Sequence, residues 1–245
     1  MVDKKKILVL VEGEKTDLQL MERLFNLYEI DMQYQIVPYK TNIYVLYNEM
    51  FKDGNPDDMD ILAHLKEHEK DQKKKALFDE RFSDILLVFD LDPQDPQFSV
   101  EIIVEMSEYF VESTDMGKLY INYPMVEAFY HMKSIPDADY NNYFASMAEL
   151  KSGSYKSRVN AENRDHDYSK FPADKAECSI VIKQNVEKAW LVAETRRHST
   201  DIDCPPPEQI SILNGQLIKI RSENVVAILC TCVFFIVEYN PKLLF

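Results

Sequence analysis

Short, uninterrupted apolar runs alternate with amphipathic stretches through the first half of the chain. Residues 6–11 read K-I-L-V-L-V and give way to Glu12-Gly13. A β-rich run this short and continuous is the mark of a strand buried on both faces, as in a parallel sheet. A helix follows, with Thr16 as a cap and Leu18, Met21, Leu24, Phe25 and Tyr28 keeping a helical period. Residues 33–38 read as a weaker strand, 42–51 as a helix and 54–60 as a turn rich in Asp, Asn and Pro. The charged stretch 60–75 has the pattern of one projecting helix. Residues 85–89 form another all-apolar strand ending at Asp90, 98–112 an amphipathic helix, 118–121 a fourth strand and 125–132 a further helix. Alternation of this kind predicts an α/β fold: a parallel sheet flanked by helices, spanning about residues 1–135.

The second half, residues 136–245, reads as a mainly helical C-terminal region. Residues 137–150 look helical, 151–170 form a polar, basic, Tyr-containing stretch, and 179–195 are a good helix candidate. Cys204-Pro205-Pro206-Pro207 is a rigid break. Two closing helices are expected over 207–219 and 222–239. The longest apolar stretch, 225–237, is too short for a membrane span of about 20 residues, so it reads as core or as an interface between copies of the chain.

Composition changes this picture in three ways. The chain has 245 residues and a formal charge of -14, which argues against holding nucleic acid on a broad basic surface. The excess lies almost wholly in residues 1–135, at a net -12 against -2 for the rest. Glycine is scarce, at 5 residues, and none stands in a dinucleotide-binding or Walker A arrangement, so the chain is not expected to hydrolyse nucleotides alone. The four cysteines lack C-x-x-C spacing and no leader pattern is visible. Both features point to reduced, buried thiols in a cytoplasmic protein without a membrane anchor.

Ligands of open parallel sheets sit outside the carboxyl ends of the strands, and two strand ends here carry acids. The first gives Glu12-Gly13-Glu14-Lys15-Thr16-Asp17; the second gives Phe89-Asp90-Leu91-Asp92, with Asp95 beyond. Parallel strands end on the same edge, so Glu12, Asp90 and Asp92 are expected to converge. Clustered carboxylates need a cation, and hard oxygen ligands at an open edge suit Mg²⁺ or Mn²⁺. Such an ion activates water and neutralises a leaving oxygen in phosphodiester cleavage. Asp95, between two prolines, reads more simply as a turn residue.

With V-E-G-E-K-T-D after the first strand and L-V-F-D-L-D after a later one, the sequence resembles the Toprim fold of topoisomerases, bacterial primases and OLD-type nucleases. Together with Asn122-Tyr123-Pro124-Met125-Val126-Glu127 downstream, the pattern is most similar to RloB-like Toprim proteins. The resemblance covers about residues 4–132. It departs from that family in having Asp17 where Glu is usual, and Tyr123 between the Asn and the Pro. What it implies is a metal-dependent nuclease acting on DNA or RNA. Glu12 would be a metal ligand or general acid/base, and Asp90 and Asp92 the metal-binding D-x-D pair. Asp17 would help hold a second metal, and Glu127 would be a further acid. It also implies a role in bacterial anti-phage defence, with an ATPase partner. Two other readings stay open: a non-catalytic subunit assembling with that ATPase, and a phosphomonoesterase of haloacid-dehalogenase type with Asp90 as nucleophile.

Cations that could meet a phosphate substrate are Lys15 in the first turn and Lys156, Arg158 and Arg164 in the second half. The latter belong to the stretch 151–197, with ten Lys or Arg against seven Asp or Glu, a candidate strand-binding surface. His64 and His68, four apart, have the spacing of a zinc pair. They lie on a charged helix with no third ligand evident, so a solvated face is the simpler reading. His131 falls one turn after Glu127, within reach of the site, and His166 in an exposed loop. Lys73-Lys74-Lys75 reads as solvated.

Overall fold

The computed structural model describes residues 6–30, 33–51, 60–114, 116–194 and 205–244. Its centre is a five-stranded, mostly parallel sheet flanked by helices, in the order β2-β1-β3-β5-β4. β1 (Lys6–Val11) and β3 (Asp84–Asp90) occupy the middle and are buried along almost their whole length, as their unbroken apolar runs require. β2 (Gln33–Pro38) and β5 (Gly117–Asn122) pair parallel on either side, and the two-residue β4 (Val111–Glu112) closes the edge antiparallel. From β1 the chain moves outward to β2, then returns to the other side of β1 as β3. The order in which strands are added therefore reverses between the parallel β1 and β3, where open α/β sheets form their ligand crevice.

Amphipathic helices cover the sheet. α1 (Thr16–Leu27) buries Leu20, Met21, Leu24 and Phe25. Its N-cap is Lys15 without a side-chain bond, so Thr16 is the first helical residue and not the cap. α2 (Ile43–Met50) and α5 (Val100–Tyr109) are capped by Asn42 and Ser99, whose side chains accept from Val45 and Ile102 nitrogens. The charged stretch expected as one projecting helix is two, α3 (Ile61–His68) and α4 (Gln72–Leu77). α3 is not free-standing: Ile61 and Leu65 are buried in the core. Of the lysine run, Lys74 is exposed. The stretch after β5 is a 3₁₀ turn, Val126–Tyr130, and not an α-helix.

The second half departs most from the sequence reading. Where one helix was expected over 137–150, a 3₁₀ turn (Tyr140–Asn142), strand β6 (Phe144–Ser146) and α6 (Met147–Ser152) follow one another. Ser146 and Glu149 form a reciprocal cap that starts α6 there. The polar stretch after it folds as α7 (Ser154–Glu162). α8 (Lys175–Val192) and α9 (Gln209–Glu223) are the long helices. The last expected helix instead begins as strand β7 (Val225–Ala227), antiparallel to β6, and becomes helical only at α10 (Phe234–Tyr239). Between them Leu229 bridges Tyr123, and Thr231 Oγ1 donates to the Ile121 carbonyl at 2.8 Å. β6 and β7 form a separate two-stranded sheet, and the segment after β7 abuts the carboxyl end of β5 through one isolated bridge.

The buried apolar residues form one cluster running through both halves of the chain. Lys188 of α8 is buried in it, and its Nζ donates to the carbonyls of Tyr140 and Tyr143, each at 2.7 Å. Burial pulls its pKa well below the usual lysine range. Cys178, Cys230 and Cys232 are buried free thiols, while Cys204 lies outside the described residues. No described helix is long and apolar enough to cross a membrane.

Candidate metal centre

The crevice between β1 and β3 opens into a cavity of about 450 Å³. Glu12 leaves β1 with its backbone nitrogen still donating to the Val88 carbonyl of β3 at 3.0 Å. Its side chain turns back along the sheet edge, where Oε2 accepts from the Asp90 nitrogen at 3.1 Å. Asp90 ends β3, and its Oδ1 accepts from the Val126 nitrogen at 2.8 Å. Two residues on, Asp92 sits in the left-handed region at φ 42°, and Gln94 Nε2 donates to its Oδ1 at 2.9 Å. Glu12, Asp90 and Asp92 thereby bring one carboxylate oxygen each to within 4.8 Å of the others.

Two further acids line the same cavity. Asp17, in the first turn of α1, and Glu127, in the 3₁₀ turn after β5, are each only 5% exposed. Asp17 Oδ1 and Glu127 Oε2 are buried without a hydrogen-bond partner among the described residues. An ionised oxygen in that condition carries a large desolvation cost, which a divalent cation would relieve. Gly13 leaves room for the Asp17 carboxylate in its present position, because a Cβ there would sit 2.4 Å from Asp17 Oδ2.

The electrostatics agree with the geometry. Burial, with Asp92 and Asp17 adding repulsion, pushes the Glu12 carboxyl up to about 8. Burial and Glu127 push Asp17 up to about 6. Asp90 and Asp92 are also raised, Asp90 by burial and by Glu12 beside it, Asp92 chiefly by burial. The cationic side chain that answers them is Lys156 of α7, whose Nζ lies 3.0 Å from Glu127 Oε1. Burial works against its charge, but Glu127, with Asp90 and Asp92 behind it, outweighs that and raises its pKa. The donor set, with oxygen ligands throughout and two unpartnered oxygens, is of the kind that could hold a hard divalent ion.

The structure sorts the other candidates. Lys15 lines the cavity with Lys156. Arg158 and Arg164 do not. Arg158 is engaged by Glu149 at 2.6 Å and the Phe144 carbonyl at 2.8 Å. Arg164 grips Glu177 through both terminal nitrogens, at 2.7 and 2.9 Å, with Asp165 on its other side. Both are spent on holding the second half together. Asp95 is a turn residue: it accepts from Asn42 Nδ2 at 2.9 Å and from the Gln97 nitrogen at 2.7 Å. His131 is buried away from the cavity, with Nε2 3.0 Å from Glu162 and Nδ1 3.3 Å from the Tyr155 hydroxyl. His166 is exposed, its Nδ1 3.1 Å from the Asn160 carbonyl. Gln94 and Gly13 were not anticipated. Gly13 carried a signal, as one of few glycines and placed at a strand end; Gln94 carried none.

No protein-family model, curated protein or solved structure matches the chain.

Proposed function

We propose that this chain is a Toprim-type phosphodiesterase that cleaves DNA or RNA with Mg²⁺ or Mn²⁺. The observation that carries the reading is the convergence of Glu12, Asp90 and Asp92 within 4.8 Å at the sheet's point of reversal. Asp17 and Glu127 beside them, with their unpartnered oxygens, supply ligands for a second cation position. A bound cation would polarise the phosphate and lower the pKa of a coordinated water. Glu12, whose Oε2 accepts from the Asp90 nitrogen at the cavity wall, is placed to ligate the cation or to act as general acid or base. Lys15 and Lys156 at the cavity wall offer positive charge to the phosphate.

A second, adjoining cavity of about 830 Å³ shares Lys15 and Thr16 and is lined also by Arg23, Tyr130 and Tyr168. Its Tyr130 and Tyr168 rings are stacked 4.1 Å apart. Space of this kind next to the acids supports a polymeric substrate over a small phosphomonoester. The same resemblance implies a role in anti-phage defence beside an ATPase partner.

Purified protein, alone and with an ATPase encoded beside it, is incubated with DNA, messenger-type RNA and tRNA in Mg²⁺ or Mn²⁺. Cleavage is expected, and Asp90→Ala is expected to abolish it. Cleavage that survives Asp90→Ala combined with Glu12→Ala would sink the proposal.

A further inference from the structure

A second group of metal-ligating side chains meets outside the acidic crevice. Glu49 of α2 and His64 and His68 of α3 each present one ligand atom, and these atoms lie within 4.8 Å of one another. The histidine pair was legible from its spacing; the third ligand was not, because it comes from another helix. His64 Nε2 lies 3.2 Å from Glu49 Oε2. Zinc bonds of about 2.0–2.1 Å in a tetrahedron set neighbouring ligand atoms roughly 3.3 Å apart.

The surroundings favour a metal-ready form of His68, and at His64 the Nε2 proton that is donated to Glu49 is the one a metal would have to displace. His68 Nδ1 is 3.0 Å from the His64 carbonyl oxygen, to which it donates. That bond puts the proton on Nδ1 and leaves the Nε2 lone pair for a metal. The Tyr39 hydroxyl donates to Glu49 Oε2 and lies 3.4 Å from His64 Nε2, an outer-shell contact of the kind that orients carboxylate ligands. The two imidazole rings lie 4.2 Å apart. α3 is anchored independently of these side chains: Asp60 caps it, and Ile61 and Leu65 fix its buried face.

We propose that Glu49, His64 and His68 form a zinc site, separate from the acidic crevice, that clips α3 to α2. Two imidazoles and one carboxylate suit Zn²⁺ better than Mg²⁺, which prefers oxygen ligands throughout. The fourth position is left to water. The site borders the acidic crevice through β2's exit, where the Tyr39 and Lys40 nitrogens donate to the Val11 and Glu12 carbonyls at 2.7 and 3.0 Å. It does not depend on the nuclease reading.

The test uses the full chain carrying Asp90→Asn, which disables the acidic crevice; Asp92→Asn serves if that variant fails to fold by circular dichroism. The chelator-stripped protein is titrated with Zn²⁺ against a chromogenic chelator, and with Co²⁺ for its visible spectrum. One equivalent of Zn²⁺, tetrahedral Co²⁺ bands and a higher melting midpoint are expected. Adding His68→Ala, an exposed position, should weaken zinc binding by at least about tenfold and remove the bands. Glu49→Gln should also weaken it. Absence of zinc binding in the folded Asp90→Asn protein, or binding unchanged by His68→Ala, overturns the proposal.

Discussion

Lys156 Nζ stands 3.0 Å from Glu127 Oε1, an ion pair joining α7 of the second half to the turn behind β5. The cation sits where a metal's charge would be wanted and lowers the pKa of both Glu12 and Asp17. It competes with a metal for the same acids. Lys156→Met should therefore tighten Mn²⁺ binding by several-fold in isothermal titration. Cleavage should fall, because the phosphate loses a positive neighbour. Weaker Mn²⁺ binding in the variant would mean that Lys156 organises the acids instead.

The raised acids give stability a defined pH dependence. Glu12, ordinarily near 4.5, is pushed up to about 8, and Asp17, ordinarily near 3.8, up to about 6. Each holds a proton more tightly folded than unfolded, so its contribution is full below the ordinary value and lost as pH rises through the raised one. One such group changes stability by up to about 1.4 kcal/mol per pH unit inside its window. In chelator, the melting midpoint should fall between about pH 5 and about pH 8. Mn²⁺ should offset the fall, and Glu12→Gln should flatten it. A wild-type midpoint that rises over this range, with Glu12→Gln unchanged from it, would refute the assignment.

Gly13→Ala tests the turn that carries the first acids. Its Cβ would meet the Asp17 carboxylate at 2.4 Å, and that short side chain can swing away. Denaturation should show a cost of about 1 kcal/mol or less, at the low end for overpacking, while Mn²⁺ affinity drops because Asp17 is turned out. The effects of Gly13→Ala and Asp17→Ala on affinity should then be less than additive. Additive losses would place Asp17 outside the metal's reach.

Gly215→Ala is the opposite case. A Cβ at this position in α9 would lie 1.9 Å from the Val192 carbonyl oxygen at the end of α8. Backbone cannot swing aside as a side chain does, so the two helices must separate. A loss of about 2–3 kcal/mol is expected, read as a lower urea midpoint. A midpoint equal to wild type would show that the helices are not held at this distance.

The strands at the heart of the site were legible because burial on both faces leaves no room for polar residues. β1 and β3 thus appear as plain apolar runs whose first polar residues, Glu12 and Asp90, mark the sheet edge. The run 225–237 was misread for the same reason. It is apolar all round, so periodicity could not separate strand from helix, and β7 followed by α10 looked like one helix. α7 was missed in the other direction, since it buries only Tyr155 and Val159. Arg158 and Arg164 looked available because charge in a sequence says nothing of the partner it meets. Glu49 had no local pattern at all; only the approach of its carboxylate to His64 gives it meaning.

Asn122 ends β5, and its Oδ1 accepts from Cys232 nitrogen at 3.3 Å, next to the Tyr123–Leu229 bridge. All five acids precede residue 128, whereas the segment that closes this end of the sheet lies a hundred residues later. On the ribosome, the chain therefore possesses its acids, and every residue that lines the cavity down to Lys156, before it possesses the segment that backs β5. Order of synthesis separates assembling the crevice wall from bracing the strand behind it. A nascent chain ending near residue 200 should carry all the cavity's lining residues without the Leu229–Cys232 contacts at the end of β5.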